Sequence, residues 1–314
     1  MLEMKNITKI YNPGTVQETC LFRDFSLTIN KGSFVSVVGS NGSGKTSMLN
    51  LLCGSIPVDA GQILMDGQDI TRVKEFRRSR RMGRVYQNPA MGTCGTMTIL
   101  QNLSMADNKG KPFGLTPGTN RKKIEAYRAM LAPLGLGLED KMDVPVGSLS
   151  GGQRQRIGVA RALALDPKLV VCDEPVSALD VSIQAQILNL MRELQRKYQL
   201  TYIFISHNLS VVKHICDRIA VMYLGNIVEI APKKELFDNP LHPYTKALLG
   251  AIPIPDPDIP AMQDMLEGDV PSPINPPKGC CFHTRCHGCC KECTAQKPKL
   301  VNVGNDHWVA CCKV

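Results

Sequence analysis

The segment that restricts the fold of this chain most strongly is residues 39–46, which read GSNGSGKT and fit the pattern G-x-x-x-x-G-K-[S/T]. The apolar run SFVSVV comes directly before it, and helical spacing runs from Lys45 to about Leu52. A glycine-rich loop between a strand and a helix can turn its backbone amides toward phosphate oxygens, and the helix N-terminus adds partial positive charge. These flanking elements make a chance glycine-rich turn a poor explanation. We therefore predict a nucleotide-binding loop with contacts from Gly39, Ser40, Asn41, Gly42, Ser43, Gly44, Lys45, Thr46 and Ser47.

A second apolar run, KLVVCDEP at residues 168–175, ends in two carboxylates. Ligands of open α/β sheets bind at the carboxyl ends of the strands, so both acids are expected near the phosphates. Two acids at a strand end are most often an exposed turn, but the upstream loop changes that interpretation. We expect Lys45 to reach the β- and γ-phosphates, and Thr46 and Asp173 to hold Mg²⁺. Glu174 is expected to polarise the attacking water as a general base.

A third segment, LSGGQ at residues 149–153, precedes helical spacing through Ile157, Ala160 and Ala164. A serine hydroxyl, backbone amides and a helix N-terminus together form another anion site. A second γ-phosphate site in one chain is redundant unless two subunits face each other head to tail and complete each other's sites. The segment therefore predicts a dimer, in which the second anion site consists of Ser150, Gly151, Gly152 and Gln153.

The pattern over residues 1–250 indicates an α/β domain with a mostly parallel sheet, because short β-branched runs alternate with helical spacing. Strands are predicted at residues 33–38, 169–172 and 202–205. The run IAVMYLGNIVEIA is predicted to form a hairpin with Gly225 and Asn226 at its turn. Helical spacing dominates residues 89–165, which indicates a helical insert in the sheet domain.

Composition and charge narrow the class of protein. The net charge is +9, but the densest basic run, KEFRRSRRMGR at residues 74–84, contains a single aromatic residue, Phe76. We interpret it as the solvated face of a helix and expect no nucleic-acid partner. No apolar run approaches the ~18 residues of a transmembrane helix, and the N-terminus lacks the apolar core of a signal peptide. The protein is therefore expected to stay in the cytosol.

The order of these motifs resembles the ATP-binding-cassette (ABC) family, in which LSGGQ stands between the phosphate loop and the acidic strand. Each further motif has an ordinary interpretation in isolation, such as a structural histidine or a packed tyrosine, but the complete series leaves those interpretations little room. The matching residues are Gln87 of the Q-loop in VYQNP, Asp180 of the D-loop in SALD, His207 of the switch in FISHN, and Tyr11, where the family stacks an aromatic ring on adenine.

The resemblance implies the P-loop NTPase fold of ABC ATPases, with a mostly parallel core sheet, an antiparallel β subdomain and a helical subdomain at about residues 89–165. It also implies an ATPase that uses ATP and Mg²⁺, and a dimer that closes on two ATP molecules and opens after hydrolysis. In that scheme His207 contacts the γ-phosphate, while Gln87 ligates Mg²⁺ and links it and the attacking water to the helical insert.

The second half of the chain is similar to one branch of this family. Residues 154–191 and the stretches HPYTKALLGAIPIPDP and VPSPINPPKGCCFHTRC resemble ATPase subunits of oligopeptide and dipeptide importers. This resemblance implies an ATPase that energises peptide import from the cytoplasmic face of the cell membrane, as a peripheral protein. The implied partners are transmembrane permease subunits, a substrate-binding protein and a second ABC ATPase subunit, identical or different.

The first half leaves an alternative open. Residues 88–103 and 131–152 are more similar to ATPases of tryptophan/tyrosine-type importers, so an amino-acid importer is the alternative. A soluble ABC ATPase acting on ribosomes or DNA is a further alternative, but such proteins usually carry two cassettes or a long coiled-coil insertion. This chain has one cassette and no heptads. A non-catalytic binding protein is disfavoured because Lys45, Asp173, Glu174 and His207 are all present.

Composition changes after Ala251, where eight prolines between Pro253 and Pro277 precede the stretch GCCFHTRCHGCCKEC. Proline lacks an amide donor and has a fixed φ, so these residues predict an extended arm. We therefore expect a separate C-terminal extension over residues 251–314.

Eight of the thirteen cysteines lie between residues 280 and 312. In a reducing cytosol that density indicates a metal rather than disulfides, with a redox-sensing cysteine pair as a further alternative.

Spacing alone leaves two kinds of metal centre open for this cysteine-rich tail. Two C-x-x-C pairs with nearby histidines suit zinc, and four thiolates suit an iron–sulfur cluster. We expect the metal to anchor the C-terminal arm without taking part in hydrolysis, because the short tail has few apolar residues with which to build a core. Resemblance to the peptide-importer tail implies a [4Fe-4S] cluster, with zinc as the alternative, on Cys280, Cys286, Cys293 and Cys311.

Overall fold

A computed structural model describes residues 1–109, 111, 118–252, 269–272, 274 and 276–314 of the chain. Most of the proline-rich arm predicted after Ala251 lies outside the described residues. The chain forms two compact units. Unit 1 comprises Met1–Leu52, Ile56–Arg72 and Ser206–Val314, and unit 2 comprises Cys53–Ser55 and Val73–Ile205.

The strands are β1 (Leu2–Tyr11), β2 (Thr19–Ile29), β3 (Phe34–Val38), β4 (Ala60–Met65), β5 (Gln68–Asp69), β6 (Met82–Val85), β7 (Leu169–Asp173), β8 (Thr201–Ile205), β9 (Arg218–Tyr223), β10 (Asn226–Pro232), β11 (Val301–Asn302) and β12 (Trp308–Val309). The α-helices are α1 (Lys45–Cys53), α2 (Glu75–Arg78), α3 (Pro89–Gly92), α4 (Ile99–Asp107), α5 (Ile124–Leu131), α6 (Gly151–Leu163), α7 (Val181–Tyr198), α8 (Leu209–Ile215), α9 (Lys233–Asp238), α10 (Pro243–Gly250) and α11 (Lys291–Ala295).

Unit 1 contains an antiparallel sheet in the order β2-β1-β4-β5 and a second run of strands in the order β11-β12-β10-β9-β3. In β1, the apolar side chains of Leu2 and Met4 are buried while the intervening Glu3 is only half-buried. Such alternation is expected where one face of a strand packs on a core. Every residue of β3 is buried, and β3 pairs in parallel with β9. A continuous apolar run is typical of a parallel strand covered on both faces, so the predicted strand at residues 33–38 is confirmed.

The predicted hairpin is present as β9 and β10, but its turn lies one residue earlier than predicted. Leu224 and Gly225 form the turn, with φ values of +42° and +73°, and Asn226 pairs with Tyr223 as the first residue of β10. A two-residue hairpin turn that matches the twist of its strands requires positive φ at both positions. Gly225 adopts the positive φ of the second position without strain. Asn226 instead supports the turn from the strand, because its side-chain amide donates to the carbonyl oxygen of Leu224 at 2.7 Å.

The described end of the chain belongs to unit 1 and extends its sheet. β12 pairs antiparallel with β10, so that Glu229 lies opposite Val309 and Ile230 opposite Trp308. β11 then pairs with β12. Phe282, which lies within the cysteine-rich stretch, is fully buried. The tail therefore buries Phe282 and Val309 in unit 1 instead of forming a core of its own.

Unit 2 contains three parallel strands in the order β8-β7-β6, and the predicted strands at residues 169–172 and 202–205 are confirmed. The described residues from Pro89 to Leu163 form α3, α4, α5 and α6 with short 3₁₀ turns between them. The α/β class predicted from the alternation of strands and helices is confirmed.

The basic run at residues 74–84 does not form a single solvated helix face, so that interpretation is wrong. Only α2 is helical, and Met82 and Val85 lie in β6, where both are buried. Arg78 is buried as well, and its Nε donates to the carbonyl oxygen of Val73 at 2.7 Å. Met82 near the end of the run and Val85 directly after it favour pairing with β7 over a continued helix, because pairing removes both side chains from water.

Candidate nucleotide-binding site

The predicted phosphate loop connects β3 to α1 in unit 1. Its φ values are +153° at Gly39 and +100° at Gly44, a region of backbone conformation that strains any residue with a Cβ. A side chain at Gly39 would collide with the carbonyl oxygen of Met222 on β9, and a Cβ at Gly44 would lie 3.2 Å from the ring of Phe22. Both glycines are therefore required by the conformation of the loop and by its close packing on neighbouring strands.

The buried ammonium group of Lys45 is held by the loop itself. Its Nζ donates to the carbonyl oxygens of Gly39 and Ser40 at 2.8 and 2.9 Å, and lies 3.4 Å from Oγ of Ser43. The Ser43 carbonyl in turn accepts from the amide of Gly225 in the β9–β10 turn at 2.9 Å. These bonds fix the cation at the start of α1, where the partial positive charge of the helix adds to its own.

The other predicted residues of the loop are more accessible. Asn41, Gly42 and Thr46 are exposed, and Ser40 and Ser47 are half-buried. An anion site needs polar groups that a ligand can reach at the N-terminus of a helix. The loop and α1 meet that requirement.

Two further predicted residues of unit 1 are placed by local structure. Tyr11 is the last residue of β1, and the Lys9 ammonium lies 5.6 Å from the centroid of its ring, which is a cation–π contact. His207 is exposed in the turn between β8 and α8. The next residue, Asn208, caps α8 by accepting from the amide of Ser210 at 3.0 Å. The roles assigned to Tyr11 and His207 by resemblance stay predictions.

The acidic pair of unit 2 stands at the carboxyl end of β7. Asp173 is the last residue of that strand, and a carboxylate oxygen lies 3.6 Å from the guanidinium group of Arg84. Glu174 has a φ of +46°, and its amide donates to the carbonyl oxygen of Ile205 at 3.2 Å. A residue with a Cβ pays about 1–3 kcal/mol for this conformation, and such strain is concentrated at functional sites.

The structure brings Gln87 to the predicted base. Its Nε2 lies 3.3 Å from a carboxylate oxygen of Glu174 and 3.3 Å from Oγ of Ser177. Gln87 follows β6, which is the parallel neighbour of β7, so the carboxyl ends of the two strands place both residues at one edge. Ser177 and Arg84 were missed in the sequence analysis. The available signal for Ser177 was its position three residues after Glu174, where its hydroxyl donates back to the Glu174 carbonyl at 3.0 Å.

The predicted second anion site lies at the N-terminus of α6 in unit 2. Oγ of Ser150 accepts from the amide of Gln153 at 3.3 Å, and Oε1 of Gln153 accepts from the amide of Ser150 at 3.1 Å. This reciprocal pair is a capping box, which defines where the helix begins. A Cβ at Gly152 would lie 2.9 Å from a methyl carbon of Ile183 on α7. The glycine thus lets the two helices approach closely.

Asp180 of the D-loop stands at the N-cap position of α7 and is exposed. Its side chain makes no capping hydrogen bond in the described structure. The close approach of α6 and α7 at Gly152 and Ile183 places the signature segment and the D-loop at neighbouring helix N-termini. Unit 2 therefore holds the acidic pair, the Q-loop glutamine, the signature segment and the D-loop.

A chain of three buried polar residues in unit 1, of which Tyr244 contacts the phosphate loop, was also missed. Oη of Tyr244 accepts from the amide of Ser40 at 2.7 Å, and Nδ1 of His242 accepts from the amide of Tyr244 at 3.1 Å. A carboxylate oxygen of Glu229 accepts from the amide of His242 at 3.0 Å. Burial lowers the pKa of His242 to about 4, so its ring is neutral and able to accept. The available signal for His242 and Tyr244 was the stretch HPYT at residues 242–245.

The cysteines of the tail lie near one another. Burial raises the pKa of the Cys280 thiol to about 12, and the thiols of Cys293 and Cys311 act in the same direction. Burial also raises the pKa of Cys286, again with contributions from Cys293 and Cys311. Sγ of Cys290 lies 3.3 Å from Sγ of Cys293. Within the described ranges, however, no three cysteine, histidine or acidic side chains are arranged to hold a single metal ion.

Comparisons with known proteins agree with these features. Residues 22–177 match the ABC transporter family, and residues 228–293 match the oligopeptide/dipeptide transporter C-terminal region. The oligopeptide transport ATP-binding protein OppF of Haemophilus influenzae is 41% identical over 297 residues, which cover 93% of this chain and 88% of that protein. The oligopeptide transport ATP-binding protein AppF of Bacillus subtilis is 44% identical over 292 residues, with coverage of 91% and 87%.

Solved structures of ATP-binding cassettes are similar as well. A nucleotide-free cassette from an ABC transporter has a TM-score of 0.66 at 26% identity, covering 76% of this chain and 96% of that one. A dimeric cassette in a post-hydrolysis state, bound to ADP and Pi, has a TM-score of 0.62 at 27% identity, covering 74% and 99%.

The chain therefore belongs to the ABC transporter family, and it is an ATPase subunit with the P-loop fold of that family. Within the family it belongs to the group that carries the oligopeptide/dipeptide transporter C-terminal region. The two relatives align with both halves of the chain at 41–44% identity. The alternative of an amino-acid importer, which rested on the first half, is therefore not favoured.

Proposed function

We propose that this chain hydrolyses ATP to energise the import of peptides through a partner membrane permease. The observation that carries the proposal is the match of residues 228–293 to the oligopeptide/dipeptide transporter C-terminal region. The described part of that region belongs to unit 1, the same unit that contains the phosphate loop. The names of the two relatives, both oligopeptide transport ATP-binding proteins, point to the same cargo.

The proposed partners are transmembrane permease subunits, a substrate-binding protein and a second ATPase subunit. None of the described helices is long and apolar enough to cross a membrane. We place the chain on the cytoplasmic face of the cell membrane as a peripheral subunit, since membership of the ABC transporter family implies a docked permease. We also propose that residues 1–250 are the nucleotide-binding domain, with a helical subdomain at about 89–165, and that residues 251–314 are a C-terminal extension.

The proposed chemistry assigns a role to each described group. Lys45 contacts the β- and γ-phosphates, and its fixed position at the start of α1 supports that role. Mg²⁺ neutralises phosphate charge when it is bound, and the oxygen donors of Thr46, Asp173 and Gln87 suit this hard cation. Glu174 accepts the proton of the attacking water. The contact of Gln87 with Glu174 at 3.3 Å supports a shared role in orienting that water.

We further propose that two subunits act head to tail. The N-terminus of α6, capped by Ser150 and Gln153, then offers its first-turn amides to the γ-phosphate bound by the partner subunit. Asp180 stands beside that surface at the N-terminus of α7. In the subunit whose phosphate loop binds this ATP, Tyr11 stacks on adenine and His207 contacts the γ-phosphate.

Peptide uptake by living cells tests the proposed cargo. A strain that lacks this gene should regain uptake of labelled tripeptides when it carries the wild-type chain, but not when it carries Glu174→Gln. Glu193→Gln, which changes an exposed glutamate of α7, is the matched control and should restore uptake. Uptake of labelled tryptophan and tyrosine is measured in parallel. Restoration of amino-acid uptake without peptide uptake would replace the proposal with the amino-acid importer.

We propose that the tail binds a [4Fe-4S] cluster through Cys280, Cys286, Cys293 and Cys311. The thiols of Cys293 and Cys311 both help to raise the pKa of Cys280 and of Cys286, which supports the proposal. A four-iron cluster binds each cysteine at a different iron, so its ligands need not converge on one ion as the ligands of zinc do. Zinc, which suits the same thiol-rich chemistry, is the alternative that metal analysis of the purified protein distinguishes.

A further inference from the structure

The hydroxyl group of Tyr244 connects the helix α10 to the phosphate loop. Its oxygen accepts a hydrogen bond from the amide of Ser40 at 2.7 Å. The carbonyl oxygen of the same Ser40 accepts from Nζ of Lys45 at 2.9 Å. One residue of the loop is thus bonded to Tyr244 on one side and to the phosphate-binding lysine on the other. The position of Tyr244 therefore bears directly on the position of the Lys45 cation.

Tyr244 is held in place by two other buried aromatic rings. Its ring centroid lies 4.7 Å from that of Tyr223 on β9 and 5.5 Å from that of Phe282. Tyr223 and Phe282 meet edge to face at 5.3 Å. All three side chains are buried. Phe282 belongs to the cysteine-rich stretch, directly between Cys281 and His283, so the tail supplies one of the surfaces that position Tyr244.

Hydrogen bonds also connect the tail to α10, in addition to the aromatic contacts. His307 of the tail lies 2.7 Å from a carboxylate oxygen of the buried Glu229. The other oxygen of that carboxylate accepts from the amide of His242 at 3.0 Å. His242 caps α10 through the amide of Tyr244. The tail therefore contacts both the ring of Tyr244 and the residues that fix its backbone.

We propose that Tyr244 is a positioning residue for the phosphate loop, and that the cysteine-rich tail adjusts ATP affinity through Phe282 and Tyr244. This inference rests on the proposed function, in which the phosphate loop binds ATP. It adds to the expectation that the tail takes no part in hydrolysis, because the proposed effect is on ATP affinity and not on the chemical step. The tail touches no reacting atom in this scheme, but its packing sets how firmly Ser40 and Lys45 are held before nucleotide arrives.

Tyr244→Phe tests the hydroxyl, because it keeps the ring and removes the acceptor of the Ser40 amide. We expect Kd and KM for ATP to rise about fivefold to tenfold, as for the loss of one buried hydrogen bond, while kcat changes less than twofold. Tyr223→Phe is the matched control, since the Tyr223 hydroxyl is also buried but makes no hydrogen bond to the loop. An ATP affinity of Tyr244→Phe equal to that of Tyr223→Phe would overturn the proposal.

Phe282→Leu tests the contribution of the tail. It should weaken ATP binding about threefold in the wild-type background. It should have no further effect in the Tyr244→Phe background, because the proposed route from Phe282 to the loop passes through the Tyr244 hydroxyl, which that variant lacks. Trp308→Phe, which changes a tail aromatic outside the three described rings, should leave affinity unchanged. Additive effects of Phe282→Leu and Tyr244→Phe would show that the tail acts by another route. If Tyr244→Phe fails to fold, an unchanged Kd of Phe282→Leu alone overturns the proposal.

Equilibrium binding of a fluorescent ATP analogue to the purified full chain keeps this test separate from the proposed function. Lys45→Ala is the reference for lost binding. If the wild-type chain fails to bind the analogue more tightly than Lys45→Ala, the assignment of the phosphate loop itself is wrong. If the wild type binds and Tyr244→Phe binds equally well, only the positioning role is wrong. Peptide uptake plays no part in either result.

Discussion

The buried carboxylate of Glu229 provides a quantitative test of how the tail is attached to unit 1. The side chain is 0% exposed, and its two oxygens accept from the amides of Leu241 and His242 at 2.8 and 3.0 Å. One oxygen also lies 2.7 Å from Nε2 of His307. A buried carboxylate is tolerated only when such partners replace its hydration. Replacing Glu229 by glutamine keeps the shape of the side chain and removes the charge.

The cost of Glu229→Gln follows from these three bonds. The new NH₂ group can no longer accept, so one bond to a charged group, worth about 1.5–3 kcal/mol, is lost. The remaining two weaken toward neutral hydrogen bonds, at a cost of about 1 kcal/mol each. The free energy of unfolding should therefore fall by about 3–5 kcal/mol.

Thermal unfolding at fixed pH measures this loss. For domains of this size about 2–4 °C is lost per kcal/mol, so Tm should fall by about 6–20 °C. The matched control is Glu235→Gln, since the carboxylate of Glu235 is 28% exposed and lies 3.7 Å from the other ring nitrogen of His307. The control should cost less than about 1 kcal/mol, as partly exposed pairs do. Equal Tm values for the two variants would refute the view that Glu229 anchors the tail.

Four further outcomes are expected. Glu174→Gln should bind ATP but release phosphate about 10²–10⁴-fold more slowly, and near-wild-type turnover would show that another group is the base. Ser150→Arg should impair hydrolysis and not ATP binding, and mixing it with Lys45→Ala should restore one composite site per dimer. No recovery under subunit exchange would contradict the head-to-tail arrangement. Cys286→Ser should bleach anaerobically purified brown protein, which should hold about four irons per chain, while ATP binding is kept; colourless protein with one zinc per chain would contradict the cluster. Burial lowers the folded-state pKa of His242 from 6.5 to about 4. The neutral ring should therefore make its full contribution to stability above pH 6.5, and the free energy of unfolding should fall by about 3 kcal/mol as the pH drops to 4. His242→Asn, which can still cap α10, should remove that pH dependence in unfolding experiments, and an unchanged profile would assign it to another group.

The local elements of the site could be predicted from the sequence because each depends on neighbours in the chain. The glycines of the phosphate loop adopt positive φ where the spacing requires them, and Lys45 begins α1 as predicted. The capping box of Ser150 and Gln153 lies within a single turn of helix. Motifs of this kind place backbone amides and side chains over three to eight residues, so their geometry follows from the order of residue types.

The turn of the β9–β10 hairpin and the basic run show where local reasoning fails. Gly225 and Asn226 suit a turn equally well by type, and the register of β10 against β9 decides that Leu224 and Gly225 form it. The run at residues 74–84 has the charge of a solvated helix, but Met82 near its end and Val85 directly after it are buried along β7. In both cases a pairing between strands outweighs the preference of the segment itself.

The sequence by itself determined the class of this protein, because the phosphate loop, the acidic strand and the signature segment each carry their chemistry in a short motif. It also determined which cysteines are candidates for a metal. Only the tertiary structure decided what the tail contacts: β12 joins β10, Phe282 packs on Tyr244, and Tyr244 reaches Ser40 across 204 positions of the chain. The physical reason is that these contacts join residues far apart in sequence. They cannot be predicted from the spacing of residue types within a short segment, because they form only when the whole unit buries its apolar side chains.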